Sequence, residues 1–224
     1  QRRFFIMEKS LNSYPLWKRL LFSTAILESR PTKRIVYVAV MAALCMVSNC
    51  FFSFSFFDVQ FSLTIFVSLL TGAILGPIFG FCASFIGDFV GYVYNSWGYM
   101  YMPWAGLSTA TFSLLAGICF NVVISDKKWI LYVKMAILAV VSLLVCTVAI
   151  SSTGFYFYNK AMGFSTAVVE YVSKTFGSGV SYWGYVAYRL IFKGQIINSL
   201  VNYALLFASV PLLNSIRPLK LHLR

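Results

Sequence analysis

The chain has 224 residues, of which 60% are hydrophobic and 11% charged, with a mean hydropathy of +0.80 and a formal net charge of +12. A water-soluble domain of this length needs far more charged surface, so the composition describes a helical bundle in a bilayer. The basic residues sit between apolar runs rather than on a nucleic-acid-binding module, which excludes a nucleic-acid partner and makes them topology signals.

The leader, residues 1–32, is basic and only patchily apolar. Pro15 opens a helix in which Leu16, Leu20, Phe22 and Ile26 recur near helical spacing, and Pro31 ends it. That pattern suits a helix lying on the membrane surface; charges break its apolar stretch, unlike a signal peptide. Six apolar segments follow, at 34–52, 61–75, 78–95, 104–124, 129–152 and 184–213. Judged against the ~20 residues a span needs, they predict an all-α fold. It is a six-transmembrane-helix bundle over residues 33–215, closed by a basic tail at 216–224. The second segment is short, and Gly76-Pro77 makes the turn after it.

Basic residues orient the bundle. Arg2, Arg3, Lys9, Lys18, Arg19, Arg30, Lys33 and Arg34 precede the first span, Lys127 and Lys128 separate the fourth from the fifth, and Arg217, Lys220 and Arg224 close the chain. Six spans place all three groups on one side, so both termini are expected in the cytoplasm. Only Lys160 and Lys174 fall on the other side.

The outer loops, 53–60, 94–104 and 152–185, are crowded with Tyr, Trp and Phe, whereas the inner connections "LGPI" and "VVISDKKW" hold one aromatic, Trp129. An interfacial belt occurs on both faces. The asymmetry therefore points to an outward-opening aromatic cup that stacks on flat ring systems. Its candidate residues are Phe57, Asp58 and Gln60, then Tyr94, Asn95, Trp97, Tyr99 and Tyr101, then Tyr182, Trp183 and Tyr185.

Asp88 stands inside an apolar run, where a carboxylate costs about 2.5–3.5 kcal/mol on insertion scales. The last span carries Arg189 and Lys193 one turn apart. Counted at about 1.5 Å per residue along straight helices, Lys193 reaches the depth of Asp88. The expected arrangement is a buried Asp88–Lys193 ion pair, with Arg189 reaching the ligand from the floor of the cup.

Enzyme chemistry finds no parts. HExxH, GxSxG, P-loop and Rossmann patterns are absent, and no second mid-span carboxylate or embedded histidine accompanies Asp88. Cys45, Cys50, Cys82, Cys119 and Cys146 all lie inside apolar runs without a CxxC, and His222 is the single histidine. No metal site and no bound cofactor are expected.

"RIVYVAVMAALCMVSN" (34–49) sets Ala39 and Ala43 four residues apart, and "GAILGPIFGFCASFIGDFVG" (72–91) joins a Gly-Pro turn to a glycine-rich third helix ending in Gly-Asp. With six spans and short inner loops, residues 33–215 resemble the S component of an energy-coupling factor (ECF) vitamin transporter. The resemblance implies a multi-pass bundle in the cell membrane that binds a vitamin at its outer end. Such a subunit docks onto a transmembrane coupling protein driven by two cytoplasmic ATPases, which bind the ATP, and topples to carry the vitamin inward. It also assigns the docking face to Ala39 and Ala43, where alanines one turn apart admit a close helix. The third-helix pattern resembles the folate-type branch. The longer segment at 153–183 and the aromatic loop after the third span favour a corrinoid, cobalamin or a precursor, over folate. Pantothenate and a stand-alone secondary transporter remain as alternatives.

Overall fold

The computed structural model of the chain describes residues 15–56, 59–94, 100–122, 128–177 and 179–215. Two short helices, α1 (Leu16–Leu21) and α2 (Thr24–Leu27), precede α3 (Pro31–Phe51). A hairpin of β1 (Ser53–Phe56) and β2 (Val59–Ser62) leads into α4 (Thr64–Leu75). Then come α5 (Pro77–Tyr94) and α6 (Pro103–Asn121). The next helix, α7, runs through Lys128–Ser142, a π-helical stretch Leu143–Ser152, and Thr153–Met162. After α8 (Thr166–Phe176), α9 (Tyr182–Ala187) continues as a π-helical stretch, Tyr188–Phe192, and α10 (Gln195–Ser215) ends the described chain. The molecule is thus an all-helical polytopic bundle, with an antiparallel hairpin where the sequence predicts a loop at 53–60.

Proline places several helix starts. Pro31, Pro77 and Pro103 stand at the first turn, where the missing N–H would have no partner in any case. Gly76 stops α4 at φ 84°, a conformation that suits a residue without Cβ. Close packing needs small residues too: a Cβ on Gly72 would strike the Ser113 carbonyl of α6. The main core fills the middle of the bundle, with Leu69, Leu75, Phe112, Met135 and Leu206 among its buried side chains.

α3, α5, α6 and Trp129–Met162 are long and apolar enough to cross a bilayer, and the pair Tyr182–Phe192 and Gln195–Val210, bent by 54°, makes a fifth candidate span. The remaining apolar segment is the shorter α4, at 12 residues about 18 Å long. Each of the six expected segments therefore contains a helix, but three are not plain spans: α4 is short, the last is bent, and the fifth is over-long. Trp129–Met162, at 34 residues, exceeds a ~30 Å hydrocarbon core and carries Thr153–Met162 beyond the expected end of its span. That outer turn meets α8 and α9 in a second cluster: Val168, Val172, Tyr185 and Tyr188 are buried, with Phe155, Tyr156 and Phe164 packed on them.

The leader is two short helices rather than one, and it is docked. Ser23 Oγ donates to the Ile74 carbonyl at 2.6 Å, Asn121 Nδ2 donates to the Leu20 carbonyl at 3.0 Å, and the Phe22 and Phe79 rings lie 5.2 Å apart. These contacts fasten it across the turn at Gly76.

Candidate ligand-binding site

A cavity of about 160 Å³ lies between α4, α6, the π-helical part of α7 and the start of α10. α6 contributes Ala105, Ser108, Thr109 and Phe112; α7 contributes Thr147 and Ser151. Gln195, Asn198 and Ser199 of α10 and Ile65 of α4 complete the wall. Ile65 and Ala105 stand near the first residues of their helices, on the side of the aromatic loops, so the cavity occupies that half of the bundle.

Its frame is tied together by side-chain hydrogen bonds between elements. Ser108 Oγ donates to the Cys146 carbonyl at 2.9 Å, tying α6 to the π-helical stretch. Asn202, fully buried, accepts from Phe66 N at 2.8 Å through Oδ1 and donates through Nδ2 to the Ser62 and Asn198 carbonyls, each at 2.7 Å. Asn198 Oδ1 in turn accepts from Ser62 N at 2.9 Å. Leu63, at the N-cap of α4, has no side chain that can cap it; Ser62 Oγ accepts from Thr64 N at 3.1 Å, and Asn202 of α10 holds the next turn through Phe66 N. Gln195 Oε1 and Ser199 Oγ, both in the cavity wall, are buried and have no hydrogen-bond partner. A buried polar atom left in that state costs stability until a ligand or water satisfies it.

Arg189, an expected ligand contact, reaches this wall. Its Nη2 donates to Ser151 Oγ at 3.3 Å, and the guanidinium lies over the Phe155 ring at 4.3 Å from the centroid. Asp88 does not pair with Lys193. The carboxylate, 7% exposed, accepts from Asn49 Nδ2 at 3.1 Å and from the Tyr101 hydroxyl at 3.4 Å, both neutral groups. The reason is the break in the last span. A π turn and Gly194 at φ 66° bend the chain there, so depth counted along a straight helix does not locate Lys193.

The expected aromatic cup divides. Tyr101 packs on Phe89 and Tyr92 at ring distances of 5.2 and 5.0 Å, and burial beside the Asp88 carboxylate pushes its phenol up to about 12. Tyr94 is exposed beside Phe51. Tyr182 shares a hydrogen bond with Thr153 Oγ1 at 2.9 Å, Tyr185 accepts one from Asn159 Nδ2 at 2.9 Å, and Trp183 is exposed. Gln60 pairs with Ser55 across the hairpin. Phe57, Asp58, Asn95, Trp97 and Tyr99 lie outside the described residues. The polar wall itself is absent from the sequence-derived candidates. Its signal was present: Gln195, Asn198, Ser199 and Asn202 recur at i, i+3, i+4 and i+7 in an otherwise apolar segment.

The model of the family described as "ECF-type riboflavin transporter, S component" matches residues 30–208. The chain is an ECF-transporter S component. No curated protein matches it by sequence. Among solved structures it is similar to that of FolT bound with folic acid, at 16% identity and a TM-score of 0.53 over 84% of this chain and 96% of that one. At that identity the likeness concerns the fold. S components are multi-pass proteins of prokaryotic cell membranes; they bind a vitamin and work with the ECF energy-coupling module, and they are not enzymes. The corrinoid expected from the aromatic loops finds no support in either comparison.

The neutral partners of Asp88 give a prediction for this S component. Asp88→Asn should change stability by no more than about 1 kcal/mol, because a carboxamide can accept from Asn49 and donate to the Tyr101 hydroxyl. Thermal unfolding in detergent checks it, in a cycle with Lys193→Met. A coupling well above that size between the two substitutions would restore the ion pair.

Proposed function

We propose that this S component binds a vitamin with a flat fused-ring head, a flavin first, in the outer cavity and surrenders it to a transmembrane coupling protein and two cytoplasmic ATPases. The family match over residues 30–208 carries the reading. The cavity supports it: Phe112 and Ile65 offer apolar surface for a ring, while Gln195, Asn198 and Ser199 offer groups for its polar edge. At about 160 Å³ the cavity is smaller than the ~300–1,000 Å³ pockets that enclose drug-sized ligands. A vitamin of that size therefore extends above it, toward the outer aromatic residues. Folate is the second reading, favoured by Arg189 at the wall, since its glutamate tail carries carboxylates that riboflavin lacks.

Binding to the purified protein tests this directly. Flavin fluorescence should be quenched saturably on titration, and denaturing the protein as isolated should release a flavin or a pterin. Release of a vitamin without a fused ring system, and no response to either ring class, would overturn the reading.

A further inference from the structure

Arg189 is a charge with little compensation among the described residues. Of the five N–H donors on a guanidinium, the structure gives Nη2 one neutral acceptor, Ser151 Oγ, and leaves Nη1 buried with none. The Phe155 ring supplies a cation–π contact, which does not neutralise the charge. Among the described residues no carboxylate pairs with it; Asp88 is committed to Asn49 and Tyr101. Nη1 itself has no accessible surface, while the residue as a whole is partly exposed. The residue that accepts from it, Ser151, is part of the cavity wall, which also holds the unpartnered Gln195 Oε1 and Ser199 Oγ.

A cation in this setting raises the energy of the empty protein and lowers that of a complex with an anion. In a low-dielectric interior the attraction is strong, and the planar guanidinium fork matches two oxygens of a carboxylate or phosphate. We propose that the ligand presents an anionic group, a carboxylate or a phosphate, to Arg189. The proposal rests on the ring-binding cavity above and narrows its substrate class: a phosphorylated flavin or folate is bound in preference to neutral riboflavin.

Equilibrium binding in detergent, with riboflavin, flavin mononucleotide, folate and pantothenate as probes, decides the matter. Wild-type protein should bind flavin mononucleotide or folate at least about tenfold more tightly than riboflavin, and Arg189→Gln should erase that preference while Arg189→Lys keeps part of it. The wild-type comparison needs no variant, so a misfolded Arg189→Gln protein leaves the test intact. A second readout is thermal unfolding without ligand: Arg189→Met should melt no lower than wild type, because it removes an uncompensated charge. A clearly lower melting temperature would show that the fold already satisfies Arg189, and would overturn the proposal. Riboflavin bound more tightly than its phosphate, with no dependence on Arg189, would overturn it while leaving the ring-binding reading intact. Pantothenate bound in an Arg189-dependent way, with no flavin or pterin bound, supports the anion and overturns the ring. No binding of any probe overturns both.

Discussion

Replacing Ala39 and Ala43 together by leucine is expected to reduce ATP-driven uptake to background while leaving vitamin affinity at the wild-type value. α3 turns only Met41, Cys45 and Ser48 fully into the bundle, and both alanines lie on its exposed side. Lipid is as apolar as leucine, so hydrophobicity does not draw a partner helix to this face. What would hold one there is close backbone approach and dispersion, which small residues one turn apart permit. Leucine at both positions moves the partner outward by the width of a side chain and forfeits most of that contact. The cavity is walled by α4, α6, α7 and α10, so the substitutions leave ligand binding alone. Uptake and binding measured on the same proteoliposomes, with the coupling module present, test the split. Uptake surviving in the double variant would put the docking face elsewhere.

Asn202→Leu is expected to be among the most destabilising single changes in the outer half, by about 2–5 kcal/mol. Leucine keeps the branched shape of asparagine, though it is bulkier, and strands the Phe66 N–H and the Ser62 carbonyl, at about 1–3 kcal/mol for each buried unsatisfied group. It also cuts the bonds from Asn202 Nδ2 to Asn198, a cavity residue, so ligand affinity should fall with stability. Ser209→Ala supplies the control, because that hydroxyl bonds only the Leu206 carbonyl of its own helix. It should stay within about 0.5 kcal/mol of wild type. Comparable unfolding midpoints for the two variants in detergent would deny Asn202 its structural role.

Hydropathy and prolines made much of this bundle legible. The segments expected at 78–95 and 104–124 appear as Pro77–Tyr94 and Pro103–Asn121, because a proline and an apolar run mark the same start. Composition failed where the helix outlasts its apolar run. Thr153–Met162 reads as loop, being rich in Tyr, Phe and Asn, yet it stays helical because those rings pack against Tyr182 and Tyr185. The partner of Asp88 was misjudged because backbone geometry, not side-chain type, bends the last span. Gly194 was visible in the sequence; the π turn before it leaves no comparable mark. At the site, Arg189 and Lys193 are the conspicuous charges of the sequence, while the quieter polar stripe Gln195, Asn198 and Ser199 carries the wall.

The π-helical stretch Leu143–Ser152 has a consequence for how tolerant the chain is of insertions and deletions. A π turn closes its hydrogen bonds one residue later than an α turn, so it accommodates one more residue over the same span. Removing one residue there lets the stretch tighten into an ordinary α-helix over the same span, so everything beyond it keeps its phase. Phe155 would stay over the Arg189 guanidinium and beside the Trp104 ring, and Asn159 would stay at the Tyr185 hydroxyl. The same deletion in the α-helical Lys128–Ser142 would instead turn everything beyond it by about 100°. A frame-preserving deletion of one codon is therefore best absorbed in the π-helical stretch, and far more drastic one or two turns before it.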